Sequence, residues 1–141
     1  MAFKATGAER LDLGLLVIRL VIGASLALFH GYDKLAGGPA TWTRVGENMK
    51  HLGIGFFPQG WGLAAASAEF FGSLLLLLGL FFRPAAAILA FTMLVAALRH
   101  LNLPAGAENA GWKGASHALE LLAVFAGLYL TGPGKYRIGR G

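Results

Sequence analysis

The residues able to do chemistry in this chain are few, and most of them interrupt apolar runs. They are Arg19, His30, Asp33, Lys34, Glu69, Arg99, His100, His117 and Glu120. An ionisable side chain within a membrane-crossing segment costs several kcal/mol unless it is paired or hydrated, so each is a functional candidate by default. Arg19, Lys34 and Arg99 set three positive charges against the three negative charges of Asp33, Glu69 and Glu120, and three imidazoles accompany them. Arginine, lysine and histidine can donate to the carbonyl oxygens of a small ring ligand, and glutamate or histidine can exchange protons with it. A quinone headgroup fits that donor set. The expected ligand-binding residues are therefore Arg19, His30, Lys34, Glu69, His100 and Glu120, supported by Asp33, Arg99 and His117. No residue is assigned a catalytic role, and none a metal.

Spacing places several of these together. On an ideal helix, His30 falls about 20° from Arg19, Asp33 about 40° the other way, and Lys34 about 60° away. That puts all four on one stripe. Alternating topology then sets their depth. His30, Lys34, Glu69, Arg99, His100, His117 and Glu120 are expected in the half of the membrane away from the chain ends, with Arg19 deeper, toward the midplane. A purely structural role is the competing reading: a self-neutralising network can fix helix register, since a lone buried charge costs far more than a paired one. Three histidines at one level are superfluous for that purpose. Small residues such as Gly23, Ala27, Ala64, Ala65, Ala66, Gly72 and Gly127 would pack the helices without salt bridges.

These residues must be positioned by membrane-spanning helices. Of the 141 residues, 56% are hydrophobic and only 13% charged, against about 25% charged in ordinary soluble domains. The outside of such a bundle faces lipid. The length suffices for one domain, and the expected class is all-α: an integral membrane four-helix bundle, residues 1–141. Spans are expected at about 11–35, 62–82, 84–103 and 114–131, each near the length that crosses the hydrocarbon. The last is short and borrows Lys113–Ala115 or tilts little. Lys4 and Arg10 before an apolar run resemble a signal peptide, but Arg19 splits the run and no small-x-small cleavage site follows, so the segment reads as a retained span. Arg83-Pro84 separates the second and third spans as a tight hairpin. The long first loop carries a candidate interfacial helix over Thr41–Leu52, with Trp42, Phe56, Phe57 and Trp61 suited to the headgroup layer.

The absence of cysteine excludes disulfides, thiol catalysis, iron–sulfur clusters and covalent haem. The net charge of +5 sits at span ends and in the tail, a pattern for anionic headgroups and not for nucleic acid. Lys4, Arg10, Arg83, Lys135, Arg137 and Arg140 lie on one side, against Arg44, Lys50 and Lys113 on the other, joined by Lys34 and Arg99 if those lie outside the bundle. This bias places both termini in the cytoplasm. Outside the cluster, His51 reads as solvated, Asp12 as interfacial with a possible pairing to Arg19, Tyr129 and Tyr136 as belt residues, and Met49 and Met93 as packing.

The pattern resembles the DoxX family of small four-helix membrane proteins. The resemblance is carried by Arg19, by His30-Gly31-Tyr32-Asp33-Lys34, and by Leu52-Gly53-Ile54-Gly55-Phe56. It continues through Ala68-Glu69-Phe70-Phe71-Gly72-Ser73 and Leu78-Gly79-Leu80-Phe81-Phe82-Arg83-Pro84-Ala85 to Glu120 and Thr131-Gly132-Pro133-Gly134. It runs from Leu13 to Tyr136 and implies a membrane subunit of oxidoreductase systems. Family members include relatives of thiosulfate–quinone oxidoreductase subunits and proteins tied to sulfur metabolism and oxidative stress. By position, Arg19, His30, Lys34, Glu69 and Glu120 match the family's polar positions, His100 is a further match, and His117 is not carried over. The tail departs from the family, reading Lys135-Tyr136-Arg137-Ile138-Gly139 where a serine and an acid often stand.

Several functions are compatible with these residues. The first is a quinone-binding membrane subunit, with an inner-membrane location of bacterial type and a redox partner that supplies the electron-carrying centre; homo-oligomers are a further option. The second is a scaffold whose buried charges only fix packing. Lesser alternatives are non-covalent haem on His30 with His100 or His117, as facing helices of bundles can provide, and permeation of a small anion or proton.

Overall fold

The computed structural model describes residues 6–139, so Lys4 and Arg140 of the charge comparison lie outside the described residues. Four helices are long and apolar enough to cross a membrane: α1 (Gly7–Ala36), α3 (Pro58–Leu78), α4 (Phe82–Leu101) and α5 (Gly111–Thr131). A short helix α2 (Gly38–Gly46) and a 3₁₀ turn (Glu47–Leu52) fill the first loop. The described residues form an all-α bundle, as the apolar runs lead one to expect.

Local signals set most boundaries. Thr6 and Glu9 form a reciprocal capping box, which starts α1 four residues before the apolar run and satisfies otherwise orphaned N–H groups. Pro58 opens α3 at a position where its missing N–H costs nothing, earlier than the expected residue 62. The hairpin between α3 and α4 lies at residues 79–81, ahead of the expected Arg83-Pro84. Gly79 takes a left-handed conformation (φ 75°), and Gly79 N–H donates to Leu76 O while Leu80 N–H donates to Leu75 O. That pair of bonds is a Schellman termination, which only a residue tolerant of positive φ closes cheaply. The fourth span begins at Gly111, so it is not short.

Two irregularities matter for function. α1 contains a π-turn at Ala27–Gly31 and α3 another at Ala68–Gly72. Single π-turns inside α-helices are uncommon and accumulate at functional sites. These two pack against each other. A Cβ on Gly31 would come within 2.6 Å of Phe70 Cα and 2.8 Å of the Glu69 carbonyl carbon, so glycine is what lets the two backbones meet.

The core runs along the bundle through Leu15, Leu26, Leu76, Phe82, Leu89, Met93, Phe125 and Leu128. At the other end α4 and α5 approach through the small residues Ala97, Ala115 and Ala118, the kind of contact that packs helices where lipid leaves no hydrophobic drive for association. Val17, Val21, Phe29 and Leu130 point outward, and such an apolar exterior is suited to acyl chains.

Candidate functional site

The structure divides the candidate residues into separate groups. The central one is Lys34 with Glu69. The ammonium lies 2.6 Å from Glu69 Oε1 and 2.7 Å from Oε2, the one ion pair among the described residues. Glu69 is 2% exposed and Lys34 34%. The pair spans the two π-turns: Glu69 is inside the turn of α3, and Lys34 follows that of α1. A π-turn takes up one extra residue, so everything after it rotates back by about 100° from the ideal wheel. Lys34 thereby swings from about 60° on one side of the inward direction to about 40° on the other, while Asp33 swings to about 140° and faces out. Asp33 is exposed, as expected from this rotation and contrary to the single stripe of an uninterrupted helix.

The pair forms the polar end of a cavity of about 240 Å³ between α3 and α4. Its walls are Ala64, Ala65, Ala68, Ile88, Phe91, Val95 and Ala96, and Arg99 and Thr92 add polar groups. Val45, Gly46, Asn48 and Met49 cover it from α2 and the 3₁₀ turn. That cover is tied down by the Trp42 indole, which donates to Lys34 O at 3.0 Å. Trp61 also lines the cavity, and its Nε1–H is buried with no acceptor. Buried donors in folded chains nearly always have a partner, so an indole N–H without one among the described residues is unusual. A mostly apolar enclosure with a few convergent polar groups is the usual form of a small-molecule site.

Arg19 lies elsewhere. It is 15 residues, about 22 Å of helix, from Lys34 and 1% exposed. Its Nε donates to Leu76 O at 3.0 Å and one terminal nitrogen to Leu77 O at 2.8 Å. The other terminal nitrogen donates to Pro133 O at 2.7 Å and to Tyr136 O. The guanidinium also lies over the Phe82 ring, 5.7 Å from its centroid. It therefore ties the end of α3 to the tail, near the chain ends and apart from the Glu69 cavity. A side chain on Gly79 would meet Arg19 at 2.6 Å, so this glycine serves both the turn and the approach of the arginine. Asp12 does not pair with Arg19; it accepts from Lys135 N–H at 2.9 Å.

A third group lies on the facing sides of α1 and α5. His30 and His117 face each other with ring centroids 6.2 Å apart. Glu120 is one turn beyond His117, and all three are exposed on the outside of the bundle. His100 is drawn into the α4–α5 loop, its Nδ1 2.8 Å from Asn109 O. Arg99 lines the cavity and has no ionic partner among the described residues. Among the described residues no set of three or more His, Cys, Asp or Glu is placed to hold a metal ion.

Residues that sequence reasoning did not select include Trp61, whose signal suited a headgroup belt, Met49, which suited packing, and Asn48. The carbonyls that hold Arg19 carry no sequence signal at all, because every residue has one.

Comparison with curated proteins and with solved structures gives no match. A family model described as DoxX matches residues 14–101, more than half of the chain. The match takes in both π-turns, the Lys34–Glu69 pair, every residue lining its cavity and Arg19. The chain belongs to the DoxX family.

Proposed function

We propose that the chain is a membrane subunit of an oxidoreductase system that binds a quinone in the cavity closed by Lys34 and Glu69. The observation that carries this reading is the pairing of the buried Glu69 carboxylate with the Lys34 ammonium at one end of a mostly apolar cavity, near an indole N–H that has no acceptor among the described residues. When bound, the quinone supplies the redox centre that the cysteine-free chain lacks. Lys34, Arg99 and Trp61 orient the ring oxygens, and Ala64, Ala65 and Ala68 leave room for the ring. Glu69 holds Lys34 in place and is the group positioned to accept or return a proton through the Lys34 ammonium. A redox partner protein delivers or removes the electrons. The positive charge bias puts the chain ends on the cytoplasmic side of a bacterial-type inner membrane.

A scaffold role has one specific observation in its favour. Arg19 donates only to backbone carbonyls, which is a structural task. The two readings therefore apply to different residues, with Arg19 holding the bundle and Lys34–Glu69 holding the ligand. Fluorescence titration of the solubilised protein with a short-chain quinone tests the ligand reading. Saturable quenching that is largely lost in Trp61→Phe supports it. Quenching that is unsaturable, or equal in the variant, opposes it.

A further inference from the structure

At the end of the bundle that carries the chain termini, a second cavity of about 600 Å³ opens between the α3–α4 hairpin and the tail. Two arginines line it, Arg83 from the first turn of α4 and Arg137 from the tail, and no acidic residue among the described residues does. The remaining lining is largely backbone and apolar side chains, including Leu80, Phe81 and Phe82.

The charge balance at this end is one-sided. The chain has seven acidic residues, and two of them, Glu9 and Asp12, lie toward this end. Glu9 accepts from Thr6 N–H at 2.8 Å and Asp12 from Lys135 N–H at 2.9 Å. Neither forms an ion pair, since the one ion pair among the described residues joins Lys34 to Glu69 at the opposite end. The guanidinium of Arg19 lies just behind the cavity, against Phe82 and Gly79, and no carboxylate among the described residues neutralises it. Two guanidinium groups thus line one opening, with a third buried behind it, and neither Arg83 nor Arg137 has a hydrogen-bond partner for its side chain among the described residues. Guanidinium pairs recognise phosphate through parallel N–H donors, and basic pockets between spans take anionic lipid headgroups.

We infer that this cavity is a binding site for a phosphate monoanion or diester, held between Arg83 and Arg137, with the headgroup of an anionic phospholipid as its source. The exposed Phe81 and the half-buried Leu80 beside it give acyl chains an apolar surface. The tail is held in place by Arg19 and by Ile138 N–H donating to Leu78 O at 3.0 Å, so Arg137 is presented from an anchored segment. Occupancy of the site would pin the tail to the hairpin.

The test uses the full chain in nanodiscs of phosphatidylglycerol or of phosphatidylcholine, with inorganic phosphate titrated in detergent as a separate arm. Native mass spectrometry counts retained lipid, and thermal unfolding reads stabilisation. The wild type should retain phosphatidylglycerol in preference to phosphatidylcholine, and Arg83→Gln/Arg137→Gln should weaken retention by about tenfold or more. Both side chains are exposed, so the variant should still fold. Arg10→Gln, a charge change at the same end but outside the cavity, should behave as wild type. Saturable phosphate binding that the double variant loses, without a phosphatidylglycerol preference, would keep the anion site and assign it to free phosphate. Equal loss in Arg10→Gln, or no loss in the double variant, would overturn the site.

Discussion

Lys34 holds both carboxylate oxygens of Glu69 across the contact between two π-turns, one in α1 and one in α3. Removing one member leaves the other charge inside the bundle. Lys34→Met should lower stability by about 2–3 kcal/mol, at the low end for a buried pair because the lysine is partly exposed. Lys34→Met/Glu69→Met should recover most of that loss, since apolar replacement of a buried pair is close to neutral. If the pair also binds ligand, the double variant will be folded but will bind quinone at least about tenfold more weakly. Thermal unfolding and quinone titration on the same samples separate the two effects.

Arg19→Leu should release the tail. The carbonyls of Leu77, Pro133 and Tyr136 would lose the arginine donor, while Leu76 O keeps the Gly79 N–H, a change worth several kcal/mol at roughly 1–3 kcal/mol for each buried group left unsatisfied. Trypsin should then cut after Lys135 or Arg137 in the folded variant much faster than in the wild type. Equal cleavage rates would mean that the tail is anchored by something else.

Gly31→Ala should destabilise even though alanine is the better helix former by about 1 kcal/mol. The new methyl would press on the α3 backbone at Phe70 and Glu69, where no flexible side chain can yield. A net loss of about 2 kcal/mol is expected from the overpacking, with weaker quinone binding because Lys34 shifts off Glu69. A rise in melting temperature would contradict the close contact of the two turns.

Much of this was legible in the sequence. Four apolar runs fixed the bundle, and the Thr6–Glu9 capping box, Pro58 and Gly79 are local signals that correct the ends of the runs. The candidate site was only half legible. Glu69 and Lys34 could be picked out because charge in an apolar run is costly. That Arg19 binds the end of α3 and the tail could not, because it depends on which carbonyls come within reach of the guanidinium. Nor does any residue pattern announce a π-turn, yet the one at Ala27–Gly31 is what turns Asp33 outward and leaves His30 facing His117 of α5.

Outside the spans, partial burial pushes the His51 imidazole below its ordinary value, and the charges of Lys50 and Arg99 add to the effect. The unfolded chain therefore takes up a proton at a higher pH than the folded chain. The stability involved is present above the unfolded value of about 6.5 and is lost as pH falls toward the folded one. His51→Gln should flatten the fall in stability just below pH 6.5. An unchanged pH profile in the variant would assign that fall to other groups.

Mass spectrometry of organic molecules retained by the gently solubilised protein tests the central claim most directly, with wild type, Ala65→Phe and His30→Ala prepared side by side. Phenylalanine at residue 65 would fill the cavity beside Lys34 and Glu69, whereas His30 is exposed on the outside of the bundle. Quinone recovered from wild type and His30→Ala but absent from a folded Ala65→Phe is the expected result. Quinone retained by Ala65→Phe, or lost only on changing His30, would contradict the assignment of the ligand to the Lys34–Glu69 cavity.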